Sequence, residues 1–386
     1  MTQPLRVLTI VGTRPEIIRL SRVMTRLDEV CKHVIVHTGQ NHDYQLNGVF
    51  YDDLQLRKPD HFLGVDTSSL GSCVGGILIE IEKVLLAESP DAVLILGDTN
   101  SAISAYMARR LKIPVYHMEA GNRCFDRNVP EETNRRMVDH ISDFNLVYSE
   151  HARRNLLSEG LHPRRIYLTG SPMWEVLSHY MPGIENSDIL DQLSLVEQGY
   201  ILASLHREEN VDNLDNLSKL VSSLDTLAEK HDCQVVVSTH PRTQKRLDKV
   251  ATIESRGRVQ WLAPFGFNDY NKLQMSARCV VSDSGTIAEE SSMLGFPAVT
   301  PRFSIERPEA MDTGAILACG TDPDAIIRCV DLVVKNSQLA PGLTPKSFRP
   351  DVYSVPDVSE RAARLILSTA GLSNSWDGIN ATEARV

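Results

Sequence analysis

The stretch from His117 to Arg136 packs four carboxylates (Glu119, Asp126, Glu131, Glu132) and four arginines (Arg123, Arg127, Arg135, Arg136) into twenty residues, directly behind an apolar run. Carboxyl groups at that density suit proton transfer, and the arginines beside them suit an anionic substrate. Ile113-Pro-Val-Tyr-His117 reads as a buried strand. Glu119 then falls just past the carboxyl edge of a sheet, where open α/β sheets bind their ligands. Pro130 followed by Glu131 and Glu132 reads as a helix start whose acids complement the positive helix end. Each acid taken singly either serves that dipole or faces a ligand; as a group the loop has the composition of a site.

A second set of candidates lies in the carboxyl-terminal half. The run from Tyr200 to Leu205 reads as a strand ending in His206-Arg207, and the run from Gln234 to Ser238 as one ending in Thr239-His240. Cys279-Val-Val-Ser282 ends in Asp283-Ser284-Gly285-Thr286, ahead of a helix that holds Glu289 and Glu290. His206, His240 and Ser284 thus reach one edge of one sheet. A lone histidine in an α/β protein is readily structural. Two at equivalent strand ends, each followed by an arginine within two residues, point to anion binding or acid–base work. Ser284-Gly285 at a helix amino end reads as a phosphate seat, and Glu290 as an acceptor for ribose hydroxyls. Near the amino terminus Gly12-Thr13-Arg14 turns a strand into a helix, with Arg14 and Arg19 flanking amides that can face a phosphate. Asp98, at the end of the apolar strand Ala92-Val-Leu-Ile-Leu96, either caps the next helix or presents its carboxylate.

The elements that must position these groups alternate strand and helix throughout, the pattern of parallel, doubly wound α/β domains. At 386 residues the chain exceeds one ordinary core, so about two domains are expected. The acidic stretch from Met181 to Gly199 lacks a strand pattern and marks the boundary, giving Rossmann-like domains over 1–178 and 179–357 with an interdomain cleft for a nucleotide. An amphipathic helix follows from Val358 to Leu367, and the last fifteen or so residues read as frayed. A net charge of −10 disfavours nucleic-acid and anionic-membrane partners. The sequence shows neither a leader nor an apolar run near the roughly 18 residues of a membrane span, so a soluble, cytoplasmic protein is expected. Seven scattered cysteines with no Cys-x-x-Cys spacing support neither a disulfide framework nor a zinc site. No Gly-x-Gly-x-x-Gly turn supports a dinucleotide cofactor. Carboxylates without a histidine cluster favour proton transfer over metal chemistry, so neither metal nor cofactor is expected.

The motifs Gly12-Thr-Arg-Pro-Glu16, Gly97-Asp-Thr99, His117-Met-Glu-Ala-Gly-Asn-Arg123, Pro130-Glu-Glu-Thr-Asn-Arg135, His206-Arg207, Asp283-Ser-Gly285 and Glu306-Arg-Pro-Glu309 occur in that order. As a set they closely resemble the non-hydrolysing UDP-N-acetylglucosamine 2-epimerase family. The resemblance implies a glycosyltransferase-B architecture, with the carboxyl-terminal helix (about 358–372) crossing back onto the first domain, and usually a homodimer. It implies removal of the sugar C2 proton coupled to loss of UDP, then re-addition across a 2-acetamidoglycal. The positions matching the acids are Asp98, Glu119 and Glu131, and His206 matches a group beside the departing diphosphate. Arg14, Ser284 and Glu290 match UDP contacts. Arg19, Arg123, Arg207, His240, Gly285, Thr286 and Arg307 complete the expected UDP-sugar set. Arg19 stands where the family has lysine, and Gly121-Asn-Arg123-Cys-Phe-Asp126 replaces Gly-Leu-Arg. The loop Gln40-Asn-His-Asp-Tyr44 also departs from the form tied to an allosteric site in some relatives. Together with His206-Arg-Glu-Glu-Asn210, these departures resemble the branch that makes UDP-N-acetyl-L-fucosamine from UDP-2-acetamido-2,6-dideoxy-L-talose for capsule or O-antigen. Epimerisation of UDP-N-acetylglucosamine and a glycosyltransferase are the competing expectations.

Overall fold

In a computed structural model the structure describes residues 4–40, 51, 53–247, 257–339 and 345–379, and the chain divides into two compact units, Met1–His179 with Val355–Val386 and Tyr180–Ser354. The first unit is built on a parallel sheet of seven strands: β1 (Arg6–Val11), β2 (Lys32–His37), β3 (His61–Phe62), β4 (Ala92–Leu96), β5 (Val115–Met118), β6 (Phe144–Val147) and β7 (Ile166–Leu168). Their order, β3-β2-β1-β4-β5-β6-β7, reverses direction between β1 and β4. Such a switch point leaves a crevice at the carboxyl ends of the two strands. In register, Val11 lies opposite His37 and Leu96 opposite Met118, so the turns after β1, β2, β4 and β5 open on one edge. Helices cover both faces, which is why the central strand β4 is apolar at every position and buried throughout.

The second unit repeats the plan with six parallel strands: β8 (Tyr200–Ser204), β9 (Gln234–Ser238), β10 (Val259–Leu262), β11 (Cys279–Ser282), β12 (Ala298–Thr300) and β13 (Leu317–Ala318). Their order is β10-β9-β8-β11-β12-β13, and the direction reverses between β8 and β11, where Ser204 pairs with Ser282. Two α/β units with parallel sheets are the architecture expected from the alternation of elements. Two strands carried too little pattern to read: β3 and β13 have two residues each.

The carboxyl-terminal helix corrects the expectation of fraying as far as Trp376; residues 380–386 of the expected frayed end lie outside the described residues. It runs from Val358 to Trp376 and belongs to the first unit, where Tyr116 Oη and Thr369 Oγ1 share a buried 2.7 Å hydrogen bond. Its last turn is held by tertiary partners that no local pattern announces. Arg165 Nη1 donates to Ser373 Oγ at 3.1 Å, and the Arg164 guanidinium lies 4.9 Å from the centre of the Trp376 ring. Among the described residues no helix is long and apolar enough to cross a membrane.

Gly12 shows how tightly the switch point of the first unit is packed. A Cβ there would come within 2.0 Å of Ser101 Oγ and 2.1 Å of Thr38 Oγ1, which hydrogen-bond each other at 2.8 Å. Gly12→Ala is therefore expected to destabilise the protein by about 1–3 kcal/mol through overpacking, measured as a shift in urea midpoint. An unchanged midpoint would contradict that packing.

Candidate active site

In the first unit the ends of the adjacent strands β4 and β5 carry Asp98 and Glu119, and the helix Pro130–Ile141 carries Glu131. Asp98 follows Gly97, the first residue past β4, and Arg135 grips its Oδ2 through Nε at 3.0 Å and also through Nη2. Arg135 sits on the helix Pro130–Ile141, and the same helix sends Asn134 Nδ2 to the Asp98 carbonyl at 3.0 Å. Positions three and four apart share a helix face, so Glu131 shares the face of Asn134 and Arg135 that meets Asp98. Glu119 leaves the adjacent strand β5 with a left-handed φ of 66°. That conformation costs a non-glycine residue about 1–3 kcal/mol and persists only where the surroundings enforce it. Here Arg19 Nη1 lies 3.2 Å from Glu119 Oε2, and Asn122 Nδ2 donates to Oε1 at 3.4 Å.

Beneath these acids lies a buried layer that residue types alone did not expose. Glu16 accepts from Thr99 Oγ1 at 2.6 Å through one oxygen, and from the Gly12 and Thr13 amides at 2.7 and 2.8 Å through the other. It ties the turn after β1 to the turn that carries Asp98. Burial pushes the Glu16 carboxyl up to about 7, opposed by the hydrogen bonds from Thr99, Gly12 and Thr13. The signal was present in the sequence as a capping box, Thr13-x-x-Glu16. Glu132 accepts from the Cys124 amide, Arg135 and Arg136; burial works against its charge, yet these donors leave its carboxyl below the usual range.

Three sequence expectations are corrected in this unit. The amides at Gly12 do not form an open phosphate seat, because Glu16 already takes them. Arg19 does not flank that turn as an anion ligand: its side chain is 3 % exposed and is directed to Glu119. Arg123 is not a ligand contact either. Its side chain has no exposure, with Nη1 donating to Asp139 Oδ2 at 2.7 Å while Nε and Nη2 fork onto Glu159 at 2.9 and 2.7 Å. The forked pairing with Arg123 holds the Glu159 carboxyl down to about 2. Arg14 is half-buried at the first position of the helix Arg14–Val30. Of the loop that differs from the allosteric form, 41–44 lies outside the described residues.

The second unit brings together His206, Arg207, His240, Ser284, Gly285, Thr286 and Arg307 around the switch point between β8 and β11. Asp283, fully buried at the end of β11, organises the group. It accepts from the His206 amide at 3.0 Å, the Arg207 amide at 3.1 Å and Asn210 Nδ2 at 3.0 Å. His206 Nδ1 also lies 3.1 Å from its Oδ1, which leaves the other imidazole nitrogen on the outward side. The His206 and His240 rings stand 6.3 Å apart.

Gly285 leaves space beside two arginines. A Cβ at this position would lie 3.1 Å from Arg207 Nη2 and 3.6 Å from Arg307 Nη1, so its absence keeps open a gap between two guanidinium groups. Glu306 lies 3.6 Å from Arg207, and Glu289 holds Arg307 Nε at 3.0 Å. A small pocket of about 20 Å³ is lined there by Ser284, Gly285, Thr300, Arg302, Glu306 and Arg307. The expected helix-end phosphate seat is corrected in one respect. The helix begins only at Ile287, two residues past Gly285, while the Ser284 and Thr286 amides bond to the Ser282 and Ser284 hydroxyls. Positive charge at the gap comes from the arginines. Glu290 Oε2 accepts from Gln274 Nε2 at 2.8 Å.

Asp283 makes the fold sensitive to acid. Burial opposes its charge, but the neighbouring His206 and the donors named above outweigh it and hold the carboxyl down to about 2. A carboxylate whose folded value lies below its unfolded value of about 3.9 stabilises the fold above that pH, and loses the contribution as pH falls toward the folded value. Urea midpoints should therefore decline between about pH 4 and 2, and Asp283→Asn should flatten that part of the decline. Equal slopes in wild type and variant would assign the acid sensitivity elsewhere.

Residues 25–367 match the UDP-N-acetylglucosamine 2-epimerase family. A solved UDP-N-acetylglucosamine 2-epimerase from Rickettsia bellii is 45 % identical with a TM-score of 0.87, covering 96 % of this chain and 98 % of that one. The UDP-N-acetylglucosamine 2-epimerase of Methanocaldococcus jannaschii, solved with UDP-N-acetylglucosamine and UDP, is 33 % identical with a TM-score of 0.86, covering 94 % of this chain and all of that one. In sequence, the UDP-N-acetylglucosamine 2-epimerase of Methanococcus maripaludis is 37 % identical over 336 residues, 85 % of this chain and 92 % of the relative. The two parallel-sheet units are those of the glycosyltransferase-B-like structures in this group. The buried acid and arginine networks, the two switch points and these matches lead to one assignment: the chain belongs to the non-hydrolysing UDP-N-acetylglucosamine 2-epimerase family, a family of isomerases.

Proposed function

We propose that the protein inverts C2 of a UDP-2-acetamido sugar, with the first unit supplying the carboxyl groups and the second holding UDP. The observation that carries this reading is that Asp98 and Glu119 follow the adjacent strands β4 and β5, while Asn134 and Arg135, on the helix face that Glu131 shares, bond to Asp98. In the reaction one carboxylate takes the C2 proton as the C1–oxygen bond breaks and UDP leaves with that electron pair. A 2-acetamidoglycal remains. UDP then adds back to C1 while a carboxyl group delivers a proton to the opposite face of C2. Two positioned acids are needed, and each half-reaction draws on general acid–base catalysis. Charge develops on the departing diphosphate. The gap at Gly285 between Arg207 and Arg307, with His206 on the same sheet edge, suits that charge. Glu290, one turn beyond Ser284, would accept from the ribose.

For the sugar, the sequence Gly121-Asn-Arg-Cys-Phe-Asp126 with His206-Arg-Glu-Glu-Asn210 supports UDP-2-acetamido-2,6-dideoxy-L-talose as substrate and UDP-N-acetyl-L-fucosamine as product. The names of the Rickettsia and methanogen relatives favour a second reading, UDP-N-acetylglucosamine to UDP-N-acetylmannosamine. Proton NMR in deuterated water separates them. Deuterium is expected at C2 of a product from the L-talo substrate and not from UDP-N-acetylglucosamine. Exchange with the second sugar alone would keep the epimerase and discard the L-sugar, and exchange with neither would turn the assignment toward a transferase.

A further inference from the structure

Asp98 sits on a turn that does not fix itself. Gly97, which joins it to β4, has a φ of 72°, a conformation that glycine adopts without strain. The place of the Asp98 carboxyl group is therefore set by whatever grips the turn. On one side the helix Pro130–Ile141 does so, through Arg135 on the carboxylate and Asn134 on the backbone carbonyl. On the other side the grip comes from Glu16. Its Oε1 accepts from the hydroxyl of Thr99, the residue after Asp98, at 2.6 Å.

A helix cap does not account for that bond. The capping box uses one carboxylate oxygen, for Glu16 Oε2 takes the Thr13 amide at 2.8 Å together with the Gly12 amide at 2.7 Å and the Thr13 hydroxyl at 3.0 Å. The other oxygen serves Thr99, 83 residues away in sequence. Glu16 is 2 % exposed, and both of its oxygens are engaged. Three residues on, the same helix sends Arg19 to Glu119 at 3.2 Å. Residues three apart share a helix face. One face of the helix Arg14–Val30 thus meets both the turn of Asp98 and the carboxylate of Glu119. The far end of the turn is fastened separately, with Ser101 Oγ bonded to Thr38 Oγ1 at 2.8 Å and to Gln40 Oε1 at 3.0 Å.

We propose that Glu16 is a positioning residue, which through Thr99 fixes Asp98 relative to Glu119 on the helix that also carries Arg19. This role rests on the epimerase reading, in which Asp98 and Glu119 transfer protons. A misplacement of about 1 Å at reacting groups can cost roughly 100-fold in rate, so a small slackening of the turn is measurable.

Thr99→Val keeps the shape of the side chain and removes the hydroxyl that Glu16 accepts. Glu16→Gln reaches the same bond from the other end, since an amide can offer its oxygen to the Gly12 and Thr13 amides only by turning its nitrogen to Thr99. Both variants should lose roughly 10- to 100-fold in kcat, with KM and calorimetric UDP affinity little changed. Thr99→Ser, which keeps the hydroxyl, should stay near wild type. Loss of packing alone would follow the methyl group, and so would strike Thr99→Ser harder than Thr99→Val. Turnover retained in Thr99→Val overturns the role, and so does an equal loss in Thr99→Ser. Deuterium exchange into C2 by wild type tests the epimerase reading separately. With no exchange from either UDP-2-acetamido-2,6-dideoxy-L-talose or UDP-N-acetylglucosamine, the reading and the role fall together; with exchange, the variants decide the role alone. Should Glu16→Gln fail to fold, the two Thr99 variants still decide.

Discussion

Asp98→Asn is expected to lower turnover by roughly 100-fold or more while UDP affinity stays within a few-fold of wild type, the loss expected when a general acid or base is removed. Asparagine fills the same space and can still accept from Arg135 through its amide oxygen, so the turn after β4 should keep its shape. What is lost is the carboxyl group's ability to take up and release a proton. The UDP-binding groups proposed here, around Gly285, lie in the second unit, so affinity for UDP and rate of C2 exchange should separate. Glu131→Gln provides the companion measurement, because Glu131 shares the helix face that meets Asp98. Steady-state kinetics with calorimetric UDP binding decides the matter. Turnover intact in both variants would remove these carboxyl groups from the chemistry.

The largest effect on stability is expected from Arg123→Met. The wild-type guanidinium lies fully buried between Asp139 and Glu159, and it balances both. Removing one member of a buried pair leaves the other's charge uncompensated, which costs about 3–5 kcal/mol. Glu159 can fall back on Arg136 and His140, but Asp139 is enclosed, with His117 and the Gly121 amide as its remaining partners. Lysine should not rescue the site, since a single ammonium cannot reproduce a fork that donates to two carboxylates. Chemical denaturation followed by circular dichroism provides the number. A loss below about 1 kcal/mol, the range of an exposed pair, would contradict the buried network.

Arg123 also marks where reading residues in order stops being enough. Its motif, dense in acids and arginines, reads as a site, and Asp98 and Glu119 do follow adjacent strands. The arginines divide in a way that composition cannot foresee. Arg19 and Arg123 turn inward to hold carboxylates, whereas Arg207 and Arg307 flank the gap at Gly285. A guanidinium serves equally well as a ligand contact or as a counter-ion for a buried acid, and only its neighbours in space distinguish the two. The same holds for Glu16. Its place three residues after Thr13 is a capping signal, but its bond to Thr99 spans 83 residues of sequence.

The sequence by itself determined the α/β class, because a parallel sheet covered on both faces requires the apolar runs seen at Ala92–Leu96 and Gln234–Ser238, each followed by a turn and a helix. It also determined which strand ends bear reactive groups, since those groups sit one or two residues past the apolar runs. Only the tertiary structure decided the strand orders, and with them the two switch points, since parallel pairing joins segments far apart in the chain. It likewise decided that the helix continues to Trp376, through Arg164 and Arg165, and that His117 stands between a carbonyl and a carboxylate. Burial, pairing and protonation depend on what surrounds a side chain, and the fold supplies those surroundings from distant parts of the sequence.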